Sequence, residues 1–248
     1  MVVDYVVSAL LNTGKFLLAG VLSWLAVALV MQLLSNSLRK SLAKIFGLKL
    51  YIYLTAPGVV IHESSHALFC LIFRHKILEI KFFSPEANGT LGYVKHSFDP
   101  TSLYQRIGNF FIGTAPVWGG SAALWLITRL LLPECMYIDG AVTDAAADFL
   151  ATGFWKKWSF YLWLYLALTI ASHITLSMPD LAGSADGITT ILVVSLLGFL
   201  LLGWCGNWEE PLICFLTDIF LSSCGILTFV LVLLGILCIG CKVISGRG

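Results

Sequence analysis

Charge is what this chain has least of. Asp, Glu, Lys and Arg make up 12% of its 248 residues, where a soluble domain carries roughly 25%. So little charge cannot cover a globular surface, which excludes an ordinary soluble protein. The net charge is +1, so no acidic or basic excess points to nucleic acid. An early basic residue is also missing: MVVDYVV carries Asp4, and no Lys or Arg precedes Lys15. That excludes a signal peptide of the usual form, and the first apolar run is expected to be a retained span. A disulfide framework is absent too, because the seven cysteines are scattered, mostly within apolar runs. Cys238-Ile-Gly-Cys241 has CxxC spacing, but no second pair accompanies it. Packing, or acylation near a membrane interface, is the expected role. No internal repeat and no low-complexity segment is evident.

What is there is hydrophobic: 58% of the residues, with a mean hydropathy of +0.91. Sparse charges punctuate the chain regularly. Uncharged runs of 23 residues (16–38), 22 (107–128), 22 (158–179), 22 (187–208) and 23 (219–241) are joined by 50–73, whose one formal charge is Glu63. About 20 apolar residues cross a bilayer, and backbone pairing in lipid requires helices. The expected fold class is therefore an all-α polytopic membrane protein of about six transmembrane helices. It forms one domain over 1–248, with a core at about 50–190. The span 16–38 and the spans within 187–241 are accessory.

The connections differ. Residues 37–49, SLRKSLAKIFGLK, read as a short basic interfacial helix. Residues 77–97 alternate around Asn88-Gly89, which predicts a β-hairpin or small sheet. Residues 133–157 are acidic, then basic. Residues 177–187, SMPDLAGSADG, read as broken helix. With both termini cytoplasmic, inner segments hold eight Lys and Arg and outer segments seven. That balance leans weakly towards an active site nearer the cytoplasmic side.

Within 50–73 lies His62-Glu63-Ser64-Ser65-His66, an HExxH. An ionised residue at mid-span costs roughly 2.5–3.5 kcal/mol. Three ionisable residues in five positions therefore need a functional reason. On a helix, i and i+4 share a face, so His62 and His66 can bind one zinc ion. Glu63 is then placed to act on a water beside the metal as general base and acid. A catalytic zinc takes three protein ligands, and the third must come from elsewhere. Glu79, Glu86, Glu134, Glu209 and Glu210 fall in or beside loops, and Asp218 borders the last span. Asp180 emerges on the same side as the C-terminal half of the HExxH span and is the favoured ligand. Asp186 and His173 are the alternatives. His173 is expected as a partner to a ligand, a substrate contact, or a hydrogen-bonded helix histidine. Thr55, Ser64 and Ser65 either line a water-filled cavity or pack. The small residues of GTAPVWGG (113–120) let helices pack closely.

These residues resemble the site-2 protease family, the intramembrane zinc metalloproteases. The HExxH match is full. Asp186-Gly187 supplies the family's Asp-Gly, although Ser184 and Ala185 precede it where Leu or Pro is common. Ser177-Met-Pro-Asp180-Leu-Ala-Gly183 is similar to a divergent branch of small membrane metalloproteases. The resemblance covers about 50–190. It implies one catalytic zinc and cleavage of membrane-protein substrates in or near their transmembrane segments. It also implies β-structure after the HExxH helix. Helical substrates must unwind, which strand addition to the 77–97 hairpin would assist. Regulation is expected from membrane partners or loops. The principal rival is a non-catalytic zinc-binding membrane protein, a pseudoprotease that binds partners. A metal transporter would want polar residues on more spans. A zinc prenyl-protein endopeptidase would need a downstream Glu ligand.

Overall fold

The computed structural model describes residues 2–86, 89–133, 153, 156–205, 214, 231–232, 234–236 and 238–243, with side chains for all but 2–5, 19–21, 24, 178, 185–186 and 202–205. It is mostly helical with one small sheet. Helix α1 (Val2–Lys15) runs through a π-helical stretch, Phe16–Leu22, into α2 (Ser23–Phe46). Then follow α3 (Leu48–Leu54), α4 (Ala56–Ile72), β1 (Lys76–Lys81) and β2 (Tyr93–Ser97). Helices α5 (Leu103–Gly113), α6 (Ala115–Leu131), α7 (Trp158–His173) and α8 (Met178–Cys205) follow.

The helices meet through small residues. A Cβ on Gly58 of α4 would lie 2.0 Å from the Thr169 carbonyl oxygen of α7. One on Gly119 of α6 would lie 2.0 Å from Ser65 Oγ of α4, and one on Gly187 of α8 would lie 2.2 Å from the Phe110 nitrogen of α5. Only glycine permits these approaches. The packing role expected for GTAPVWGG is therefore what Gly113, Gly119 and Gly120 perform.

Two expectations about helix ends are corrected. Residues 37–46 are not a separate interfacial helix. No Gly or Pro interrupts α2, which runs on to Phe46 and stops where Gly47 adopts φ +81°. Nor is 177–187 broken helix. The break is confined to 174–177, and α8 continues through Gly183 and Gly187. A capping box holds its start: the Asp180 amide donates to Ser177 Oγ (3.2 Å) and the Ser177 amide donates to Asp180 Oδ2 (2.8 Å).

Where the sequence suggests single spans, two are broken. Thr-Ala-Pro occurs twice, at 55–57 and 114–116. Each time the Thr ends one helix, with φ near −97° and ψ near 5° (values −97°, 7° and −98°, 4°), and the Pro opens the next. Between α5 and α6 the bend is 60°. Among the described residues, one helical segment, Pro179–Leu201, is long and apolar enough to cross a membrane, or two if the bent α5–α6 pair is one span. The expected last span lies largely outside the described residues. At its end Cys238 donates to Ser37 Oγ on α2 (3.2 Å), which fits a packing role.

The hairpin is as expected in kind. Strands β1 and β2 pair antiparallel, Lys76 opposite Ser97 and Lys81 opposite Tyr93, with an irregularity between Ile77 and Glu79. Gly89 has φ +92°, as a turn glycine should; Asn88 lies outside the described residues.

Candidate metal centre

Helix α4 carries both HExxH histidines on one face, and their Nε2 atoms lie 3.3 Å apart. Each ring is tied at its other nitrogen. His62 Nδ1 donates to the His173 carbonyl and His66 Nδ1 to the Ile112 carbonyl, both at 2.8 Å. A carbonyl only accepts, so each Nδ1 carries the proton. In neutral imidazoles both Nε2 atoms then present lone pairs to each other. Asp180 Oδ1 joins them, 3.5 Å from His66 Nε2. The three ligand atoms lie within 4.8 Å of one another.

Three acceptors thus converge with no proton between them. Such an arrangement is repulsive unless a cation sits among them. Two ligand nitrogens at ~2.0–2.1 Å in tetrahedral geometry stand roughly 3.3 Å apart, which is the separation found here. The residues therefore fit a metal ion. Ring nitrogens tied to carbonyls are the usual support of ligating histidines.

The freed carbonyls follow from sequence. Ile112 would normally pair with the amide of residue 116, but Pro116 has none. His173 would pair with the Ser177 amide, but that amide is taken by Asp180 Oδ2. The His173 carbonyl accepts from the Thr175 amide (2.9 Å) as well as from His62, so the capping box leaves it a second site for the imidazole and fixes the third ligand together. We expect Pro116→Ala, which restores an N–H that competes for the Ile112 carbonyl, to weaken metal binding about 10–100-fold. Chelator competition measures this, with circular dichroism showing the helices intact.

Glu63 lies beside the triad and is 8% exposed. Its neighbour is the strand-end glycine Gly92, where a Cβ would meet Glu63 Cγ at 2.8 Å and the Lys81 carbonyl oxygen at 2.8 Å. The hairpin thus descends directly onto the glutamate. Gly92→Ala should cost about 1–3 kcal/mol through overpacking and lift the strand. Thermal unfolding beside a metal-binding titration would show the lost stability with metal affinity kept.

A cavity of about 520 Å³ opens here, lined by the triad, Glu63, Asn109, His173 and the strand segment 90–94 with His96. Of the expected lining residues, Thr55 and Ser65 bond to helix carbonyls instead (Tyr51 and Ile61) and, with Ser64, lie outside this wall. His173 contributes its carbonyl to His62, while its ring is hydrogen-bonded to Thr169 and Ser172 within its own helix (3.0 Å each). Asp186 sits six residues beyond Asp180, so the two positions are about 120° apart around a continuous helix; its side chain is outside the described residues. Glu79 pairs with Lys95 (2.8 Å) and the Tyr93 hydroxyl. These bonds hold its carboxyl below the usual range. Glu86 is no part of the triad, and Glu134, Glu209, Glu210 and Asp218 lie outside the described residues. The Ile112 carbonyl, Gly92, Asn109 and His96 were not singled out from sequence. Only Thr-Ala-Pro offered a signal for the first.

No protein-family profile, curated protein or solved structure matches the chain.

Proposed function

We propose that the chain is an intramembrane zinc metalloendopeptidase, a small divergent relative of the site-2 proteases, with about six spans. One observation carries the proposal: His62, His66 and Asp180 converge as proton-free acceptors beside a buried Glu63 in a cavity.

The distribution of polarity supports a membrane setting. Leu33, Leu71, Leu130 and Leu201 are 70%, 66%, 68% and 69% exposed. Glu63, His66, Asn109, Thr114 and Ser121 are buried. Lipid would cover such an exterior. Broken helix pairs and short helices would then cross together, their interruptions at Thr55 and Thr114 buried in protein rather than turned to lipid.

When bound, zinc would supply a Lewis acid at the scissile carbonyl and acidify a water. His62, His66 and Asp180 would hold it. Glu63 takes a proton from the attacking water as the new C–O bond forms. It returns that proton to the leaving nitrogen as the C–N bond breaks. Residues 90–94 offer an unwound substrate an extended backbone beside Glu63. The test is cleavage of reporter transmembrane segments in proteoliposomes. Activity should vanish on chelation and return with zinc; cleavage that persists after complete metal removal would sink the proposal.

A further inference from the structure

The chain's other two histidines face one another. His75 follows α4, after Arg74 turns the chain at φ 58°. It is 4% exposed and stacks on Phe98, ring centroids 5.3 Å apart. Its Nε2 donates to the Gln105 carbonyl at 2.9 Å, and its Nδ1 lies 3.0 Å from Nδ1 of His96 on β2. This resembles the HExxH pair, but the proton positions differ. The carbonyl fixes a proton on His75 Nε2. Burial holds both rings below their ordinary pKa, and for His96 the neighbouring His75 adds to it. Both are therefore neutral near pH 7. A neutral His75 protonated at Nε2 has a lone pair at Nδ1, so His96 must donate from its own Nδ1. His96 Nε2 is then an acceptor, and it has no hydrogen-bond partner among the described residues. His96 lines the same cavity as the triad.

We infer that His96, oriented by His75, is a substrate-positioning residue whose Nε2 accepts a hydrogen bond from a backbone N–H of an extended peptide in the cavity. For its substrate this rests on the protease proposal. One wall of the cavity is the segment 90–94, whose end is strand β2, and a strand pairs with an extended partner rather than a helix. An extended segment fits, and its N–H groups have lost their helical partners. Each buried N–H needs an acceptor. The triad and Glu63 serve the carbonyl and the leaving nitrogen, whereas His96 supplies an acceptor from the strand side. His75 touches no substrate; it fixes which nitrogen of His96 is protonated.

The test uses the zinc-loaded Glu63→Gln protein in detergent micelles, which keeps a bound peptide uncleaved. The probe is a short fluorescein-labelled peptide rich in valine and threonine, followed by anisotropy. Adding His96→Phe should raise Kd about 3–10-fold, the worth of one neutral hydrogen bond, with zinc content unchanged. His96→Gln, whose amide oxygen accepts, should recover part of the loss, and His75→Phe should reproduce part of it. Replacing one amide of the peptide by an ester removes a single N–H. At one position this should weaken binding by a similar factor, and His96→Phe should abolish that sensitivity. Equal ester sensitivity in both backgrounds would overturn the inference. So would no binding of the peptide, or a lowered unfolding temperature with peptide affinity unchanged, which would mark a purely structural pair. Ester-sensitive, His96-dependent binding by a Glu63-intact protein that never cleaves would reject the protease proposal and leave this one standing.

Discussion

Glu63→Gln is expected to leave zinc bound and to cut peptide cleavage by about 10²–10⁴-fold, the usual worth of a general acid–base. The substitution removes the proton acceptor and keeps side-chain volume, so Gly92 can still pack against it. Metal should be retained because Glu63 is outside the triad. Metal analysis and proteoliposome cleavage on one preparation separate the effects. Wild-type rates of cleavage by the variant would remove Glu63 from the chemistry. Zinc lost together with activity would make it a ligand or a structural support.

The second large effect is expected at Asp180. Asp180→Asn should lower zinc affinity by more than the 10–100-fold typical of a residue that only supports a ligand. It removes the charge that offsets the metal and weakens the capping box at the start of α8. The His173 carbonyl that orients His62 depends on the same turn, so both losses should appear together. Asp186→Asn is the control, with zinc retained. Zinc lost from the Asp186 variant alone would overturn the ligand assignment.

How far these features can be read from sequence depends on the kind of interaction that sets them. The HExxH is local: helical spacing alone puts His62 and His66 together. The hairpin is local as well, through alternation around a turn glycine. Asp180 needed a long-range argument, because more than a hundred residues separate it from His66. Direction of travel through the expected spans favoured it, and the structure brings it within 4.8 Å of the ligand nitrogens of both histidines. The α8 boundary was misread because Pro179, Gly183 and Gly187 look like breakers. In the fold Pro179 occupies the first turn, where no amide is needed, and Gly187 serves close packing. Span counting could not see the breaks at Thr55 and Thr114. Hydropathy passes over a proline in an apolar run, so two broken helix pairs read as continuous. The contact of Ile112 had only Pro116 as a signal, because a carbonyl leaves no side-chain signature, and that of His96 had none, because a lone histidine carries no address.

The two carbonyls that orient the histidines have a mechanical consequence. His62 is referenced to the end of α7 and His66 to the end of α5. With Asp180 on α8, a metal held there would be suspended among four helices rather than built on one. Any tilt of α7 or α5 against α4 rotates one imidazole relative to the other. A change in bilayer thickness, which acts on helix tilt, should then register as a change in zinc dissociation rate. On the proposed reading, the occupied site would act as a gauge of the strain in the helices around it.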